Sequence, residues 1–158
     1  MNILFTVYKS LGYGGAEVST RMLAERLTKR GHKVIIASTQ DYSGLDTRKF
    51  KEFHKIPFYS YHEHYLSKFL EKLIVDEKID IVHSQDRLTS IPAVIAAKKA
   101  GIKSVVHFRD YWYACPRSSC LTPDNQNYDL CSYSIILKKF PFYRWPFDMY
   151  KWHYLKSS

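Results

Sequence analysis

Short apolar runs alternate with helical periodicity along residues 1–108, and this alternation limits the possible folds more than any other feature. Residues 2–8 (NILFTVY) form an apolar run bounded by polar residues, the pattern of a buried strand. Residues 9–15 (KSLGYGG) follow as a loop with three glycines. Over residues 16–30, Ala16, Val18, Met22, Leu23 and Leu27 recur at i+3 and i+4 spacing, which predicts an amphipathic helix. Glu17 with Arg21 and Glu25 with Lys29 support it as i,i+4 pairs in the favourable order. Gly31 fits the left-handed position just past a helix end. Lys33–Ser38 (KVIIAS) is a second β-branched run. A strand, loop, helix and strand in this order form a crossover unit with parallel strands. The pattern continues with strands predicted at 56–59, 79–83 and 103–108, and helices at 63–78 and 90–100. The expected fold is an α/β, Rossmann-like, doubly wound parallel sheet in three α/β/α layers.

A chain of 158 residues, 46% of them apolar, holds one domain with a real core and is short for two. No apolar stretch reaches the roughly 18 residues needed to span a bilayer. The opening residues lack a basic segment and a small-residue cleavage site, so a cytoplasmic location is expected. Three cysteines do not make a disulfide framework. The net charge of +9 favours an anionic partner: nucleotide phosphate, nucleic acid or acidic lipid.

Ligands of open parallel sheets bind beyond the carboxyl ends of the strands, which directs attention to the loops there. Gly12, Gly14 and Gly15 allow backbone N–H groups close to an anion at the start of a helix. They do not form the dinucleotide fingerprint, because Glu17 stands where a small residue is needed, and no Walker lysine follows. A tight turn without a ligand is the alternative. His83 and His107 end two predicted strands on one rim, with Asp86, Arg109 and Asp110 nearby in sequence. An imidazole there can hydrogen-bond a sugar hydroxyl, or can simply be structural. Cys115, Cys120 and Cys131 have C-x4-C-x10-C spacing, a poor match to zinc ligands even with His107 added, so structural thiols are the plainer reading. His62, Glu63 and His64 lack the HExxH pattern and read as a polar helix start. Residues 134–158 interleave eight aromatics with Lys138, Lys139, Arg144, Lys151 and Lys156 and hold one acid, Asp148. Such a tail suits an anionic membrane surface or stacked single-stranded nucleic acid, or packs its apolar face on the domain.

Several of these stretches together resemble family 4 glycosyltransferases of the GT-B fold. They are GYGGAE (12–17) after the first strand, RGHKV (30–34), IDIVHSQD (79–86) and KAGIKSVVHFRDYWYACPR (99–117). The resemblance covers residues 1–133. Arg109 stands between His107 and Asp110, where many members have the His and Asp adjacent or nearly so. The resemblance implies two Rossmann-like domains facing a cleft, the first binding the acceptor and the second most of the nucleotide-sugar. It implies sugar transfer with retention, no metal, and no cofactor beyond the nucleotide-sugar substrate. Gly14 and Gly15 would approach the donor diphosphate, and His107 would contact the transferred sugar as the catalytic residue. His83, Asp86, Arg109 and Asp110 would shape the acceptor side. The family's Glu-x7-Glu pair belongs to the second domain. Glu17/Glu25 and Glu63/Glu71 share that spacing but lie in the first.

The expected reading is therefore the N-terminal, acceptor-side domain (1–133) with a basic aromatic tail (134–158), the donor-binding domain absent. Alone, it is expected to be inactive. The acceptor would be a glycan or lipid-linked, in cell-surface polysaccharide biosynthesis, with the tail a candidate contact to the inner face of the membrane. Nucleic acid is not expected, since no recognition motif is present. The rival is a non-catalytic Rossmann-like module docking on a partner or membrane. A nucleotide-dependent oxidoreductase is disfavoured by the glycine spacing.

Overall fold

The computed structural model describes residues 1–8, 15–52, 59–111, 115, 120–121, 132–139, 142, 146, 149–150 and 153. The elements are β1 (Asn2–Thr6), α1 (Gly15–Lys29), β2 (Lys33–Ser38), β3 (Asp46–Lys49), α2 (Tyr59–Asp76), β4 (Ile81–Ser84), α3 (Arg87–Lys99), β5 (Lys103–Val106) and α4 (Tyr133–Lys139). The five strands pair in the order β3-β2-β1-β4-β5, all parallel. Leu4 of β1 sits opposite Ile35 of β2 and Val82 of β4. The chain winds outward from β1 through β2 to β3, then returns to add β4 and β5 on the other side. The sheet is thus doubly wound, with its switch point between β1 and β4.

Strand side chains alternate between two faces, and both faces are covered. Leu4, Ile35, Ala37 and Val82 pack with Leu66, Leu70, Leu73 and Ile74 of α2 and with Ala93, Ala96 and Ala97 of α3. Ile3, Phe5, Val7, Val34 and Ile36 face the other way, onto Ala24, Leu23 and Leu27 of α1. The three-layer α/β/α arrangement read from the alternation is the one observed.

Local differences have physical causes. Of the expected strand at 56–59, residues 56–58 lie outside the described residues, and Tyr59 opens α2. The third strand is Asp46–Lys49 (DTRK), which carries no apolar residue. It is an edge strand, so it needs no apolar pattern; Phe50, next in sequence, supplies the burial. Arg48 and Lys33 both donate to Glu77 at 2.7 Å, tying the end of α2 to β3 and β2. These partners, Lys33 first, hold the Glu77 carboxyl below its ordinary range. At the end of α1, Gly31 adopts φ +84 and donates to Thr28 O at 2.9 Å, as its position predicts.

The chain divides into two compact units, Met1–His107 and Phe108–Ser158. In the second, Cys115 and Ile136 are buried together, with Cys120, Ile135 and Met149 against them. No described helix is long and apolar enough to cross a membrane.

Two positions of α2 test this packing. Leu70→Ala is expected to cost about 2–5 kcal/mol, whereas Val75→Ala, at a site 70% exposed, should stay within about 0.5 kcal/mol. Urea unfolding of both variants measures the difference, and equal costs would refute the assigned face of the helix.

Candidate active site at the carboxyl edge of the sheet

Asp86 organises this edge. It caps α3, its Oδ1 accepting from the N–H of Leu88 at 2.8 Å and of Thr89 at 3.0 Å. Its Oδ2 accepts from the N–H of Tyr8, at the exit of β1. The Tyr8 carbonyl in turn accepts from the Thr39 N–H at 3.1 Å and from Thr39 Oγ1. Both backbone groups of Tyr8 are thereby fixed, just where the glycine loop begins. Burial pushes the Asp86 carboxyl up, against the backbone N–H bonds that pull it down. Thr89 Oγ1 and the Gln85 N–H donate to the Thr6 carbonyl at 3.1 and 2.9 Å, closing the seam between β1 and β4.

On the α1 face of the rim, His83 tilts against Phe5, ring centroids 5.1 Å apart. His107 stacks on His83 at 6.0 Å with 15° between planes. Its N–H extends the ladder to Ser84 O at 3.0 Å. The two histidines named by the sequence pattern do meet, His83 half-buried and His107 exposed. Gly15 is the first residue of α1, and a Cβ built on it meets no atom within 4 Å. Packing therefore does not demand glycine there. Gly12 and Gly14 lie outside the described residues. The positive end of α1 opens on this same edge. Arg109, half-buried, and the exposed Asp110 belong to the second unit.

On the α2 face lies a group that the sequence pattern treats as a mere helix start. His62 is buried, its ring 5.5 Å from that of Tyr8, and Tyr8 also meets Phe50 at 5.9 Å. Burial lowers the His62 pKa. Next to it, half-buried Glu63 is pushed up to about 7 by burial. A signal for this was in the sequence: Glu63 precedes Leu66, Ser67, Leu70 and Ile74 by three, four, seven and eleven residues, on the stripe that faces the core.

Cys115 and Cys120 of the second unit are thiols outside any disulfide, and Cys131 lies outside the described residues. Among the described residues no three His, Cys, Asp or Glu side chains gather as a metal site.

With this geometry in hand, comparisons place the chain among known proteins. The profile of Glycosyltransferase Family 4 matches residues 13–158. An uncharacterized 42.6 kDa protein in the cps region of Klebsiella pneumoniae is 30% identical, over 73% of this chain and 38% of that protein. A glycosyltransferase from Rickettsia africae superposes with a TM-score of 0.55 at 23% identity, over 66% of this chain and 28% of its own. Anabaena Alr3699/HepE, solved in complex with UDP and glucose, superposes with a TM-score of 0.52 at 17% identity, over 71% of this chain and 30% of its own. At such identities the solved structures attest to the fold. The chain spans well under half the length of each of these three proteins.

Two measurements test the edge. Asp86→Ala removes the cap and the Tyr8 contact and should cost about 2–3 kcal/mol, while Asp86→Asn keeps a capping oxygen and should cost less. Equal losses in thermal unfolding would reject the double role. For Glu63 the sign follows from a folded pKa above the unfolded one: its carboxyl binds more protons when folded, so stability falls as pH rises from about 4.5 to 7. Glu63→Gln lacks that loss, and His62 titrates alike in both proteins. The variant should therefore gain on the order of 2 kcal/mol over wild type between about pH 5 and pH 8. A gap that does not change with pH, read by urea unfolding, would refute the burial of this carboxyl.

Proposed function

The chain belongs to glycosyltransferase family 4, and from that premise we propose that it is the acceptor-binding, N-terminal part of a retaining enzyme. That enzyme transfers a hexosyl group from a nucleotide-sugar to a glycan or lipid-linked acceptor in cell-surface polysaccharide biosynthesis. One observation carries the reading. At the switch-point rim, α1 starts on a glycine that no packing requires, on the same sheet face as the stacked His83 and His107.

In this reading Gly14 and Gly15 approach the donor diphosphate, which takes backbone N–H groups and the positive end of α1. Donors fixed before the reaction stabilise the leaving diphosphate as its charge grows. His107 contacts the transferred sugar, and its stacking on His83, itself braced by Phe5, sets the ring's orientation. Asp86 acts by holding Tyr8 and α3 in place. Arg109 and Asp110 serve the acceptor. A second domain supplies most contacts to the nucleotide. The tail, with Phe142 75% exposed, touches the inner face of the membrane.

The experiment is titration calorimetry with UDP as a nucleoside diphosphate probe. Gly15→Ala should bind UDP about tenfold more weakly, through steric loss at the phosphate, while melting at the same temperature or slightly higher. Unchanged affinity would overturn the assignment of Gly15. The chain alone is expected to turn over no nucleotide-sugar, and robust transfer would overturn its reading as the acceptor-side part.

A further inference from the structure

Glu63 is the one carboxylate of α2's core-facing stripe, and no structural duty explains it. It is the fifth residue of the helix, past the four N–H groups that an acid could cap. Among the described residues it makes no hydrogen bond and no ion pair. Its stripe continues as Leu66, Ser67, Leu70 and Ile74, all buried. A residue that only packed would be apolar here, since a half-buried carboxylate without a partner loses hydration and gains nothing in return.

Its position supplies what packing does not. The strands and α2 run in opposite directions, so the first turns of α2 lie at the carboxyl edge of the sheet, where ligands of such folds bind. The preceding residue, His62, touches Tyr8, whose backbone Asp86 holds at the exit of β1. Tyr8 is half-buried there, its ring packed on that of buried Phe50 at 5.9 Å, and Phe50 in turn meets Phe69 at 5.9 Å in the core. This group lies on the α2 face, opposite the His83–His107 pair and α1.

We propose that Glu63 is a carbohydrate contact, accepting hydrogen bonds from hydroxyl groups of an acceptor sugar that rests against the half-buried ring of Tyr8. The proposal rests on the glycosyltransferase reading. A carboxylate only accepts, and a pyranose offers neighbouring hydroxyl donors; charge-assisted bonds of this kind are strong where water is scarce. In its ionised form, which grows as pH rises past about 7, Glu63 also repels a phosphate, which separates this place from the proposed diphosphate site at α1. Desolvation that lifts the Glu63 pKa agrees with a site prepared for a ligand.

Amide NMR spectra of the chain, titrated separately with methyl glucopyranoside, methyl galactopyranoside, methyl mannopyranoside and UDP, test this. At least one glycoside should shift the amides of Tyr8 and of residues 62–67. Glu63→Gln and Glu63→Leu should weaken that response about tenfold, with the UDP response at Gly15 unchanged. Glu63→Leu should also melt about 2–4 °C higher, as expected where function retains a group at the expense of stability. Equal glycoside affinity in wild type and variants, no glycoside response, or a lower melting temperature for Glu63→Leu would each overturn the proposal. If UDP still binds in those cases, the donor reading survives. If UDP fails and glycoside binding depends on Glu63, the donor reading falls and the sugar contact stands.

Discussion

One carboxylate joins the parts of this edge that must agree. Asp86 accepts from the end of β1 with one oxygen and from the first turn of α3 with the other. β1 is the middle strand, and the chain leaves it for α1 on one face while α3 leaves β4 on the opposite face. At a doubly wound switch point the two departing segments separate and leave a crevice. Something has to fix its width, and here it is a side chain bonded across it. The Tyr8 carbonyl, held from the other side by Thr39, completes the bracket. The glycine loop thus starts from a backbone with no freedom left at its first anchor.

That bracket also decides which helix end remains for a ligand. Parallel strands bring the positive ends of their following helices to one edge. At α3 that end is filled by the protein's own carboxylate, which satisfies the N–H groups of Leu88 and Thr89. At α1 the first residue is a glycine with open space where a side chain would be. The proposed diphosphate site at α1 thus lies beside β1, on the face that carries His83 and His107.

The sheet was legible because burial writes itself into sequence. Strands covered on both faces need apolar residues throughout, as in residues 33–38, and helices covered on one face need a stripe, as in α2; on α1 the expected stripe holds only in part, with Leu23 and Leu27 against the sheet but Val18 and Met22 exposed. Asp46–Lys49 was illegible for the same reason: an edge strand with no fully buried residue owes little to apolar patterning, and ion pairing of Arg48 to Glu77 serves instead. Boundaries shifted where a cap outweighed periodicity; α3 starts at Arg87 because Asp86 caps it, three residues before its predicted start. At the site, His83 and His107 could be paired in advance because both end adjacent strands on one rim. His62 and Glu63 carry no such paired signal: HEH lacks the HExxH pattern, and only the helix stripe that runs on through Leu66, Leu70 and Ile74 marks Glu63.

Three glutamates on or just after α2 show how one helix separates two duties. Glu71 takes Lys99 and Lys68, and Glu77 takes Lys33 and Arg48; in both the cations hold the carboxyl below its ordinary range. These pairs lie along the middle and far end of the helix and join it to α3, β2 and β3. Glu63, at the rim end, has burial without a cation among the described residues, and its pKa moves the opposite way. Identical side chains are thus driven in opposite directions along one helix by what surrounds them. A carboxylate that joins elements is best met by a fixed cation of the fold. One that awaits hydroxyl groups is best left without a cation, since a permanent partner would occupy the lone pairs a sugar needs. The strain of that arrangement falls where the sheet is open to ligands, and the tightly packed remainder of α2 is what allows the fold to carry it.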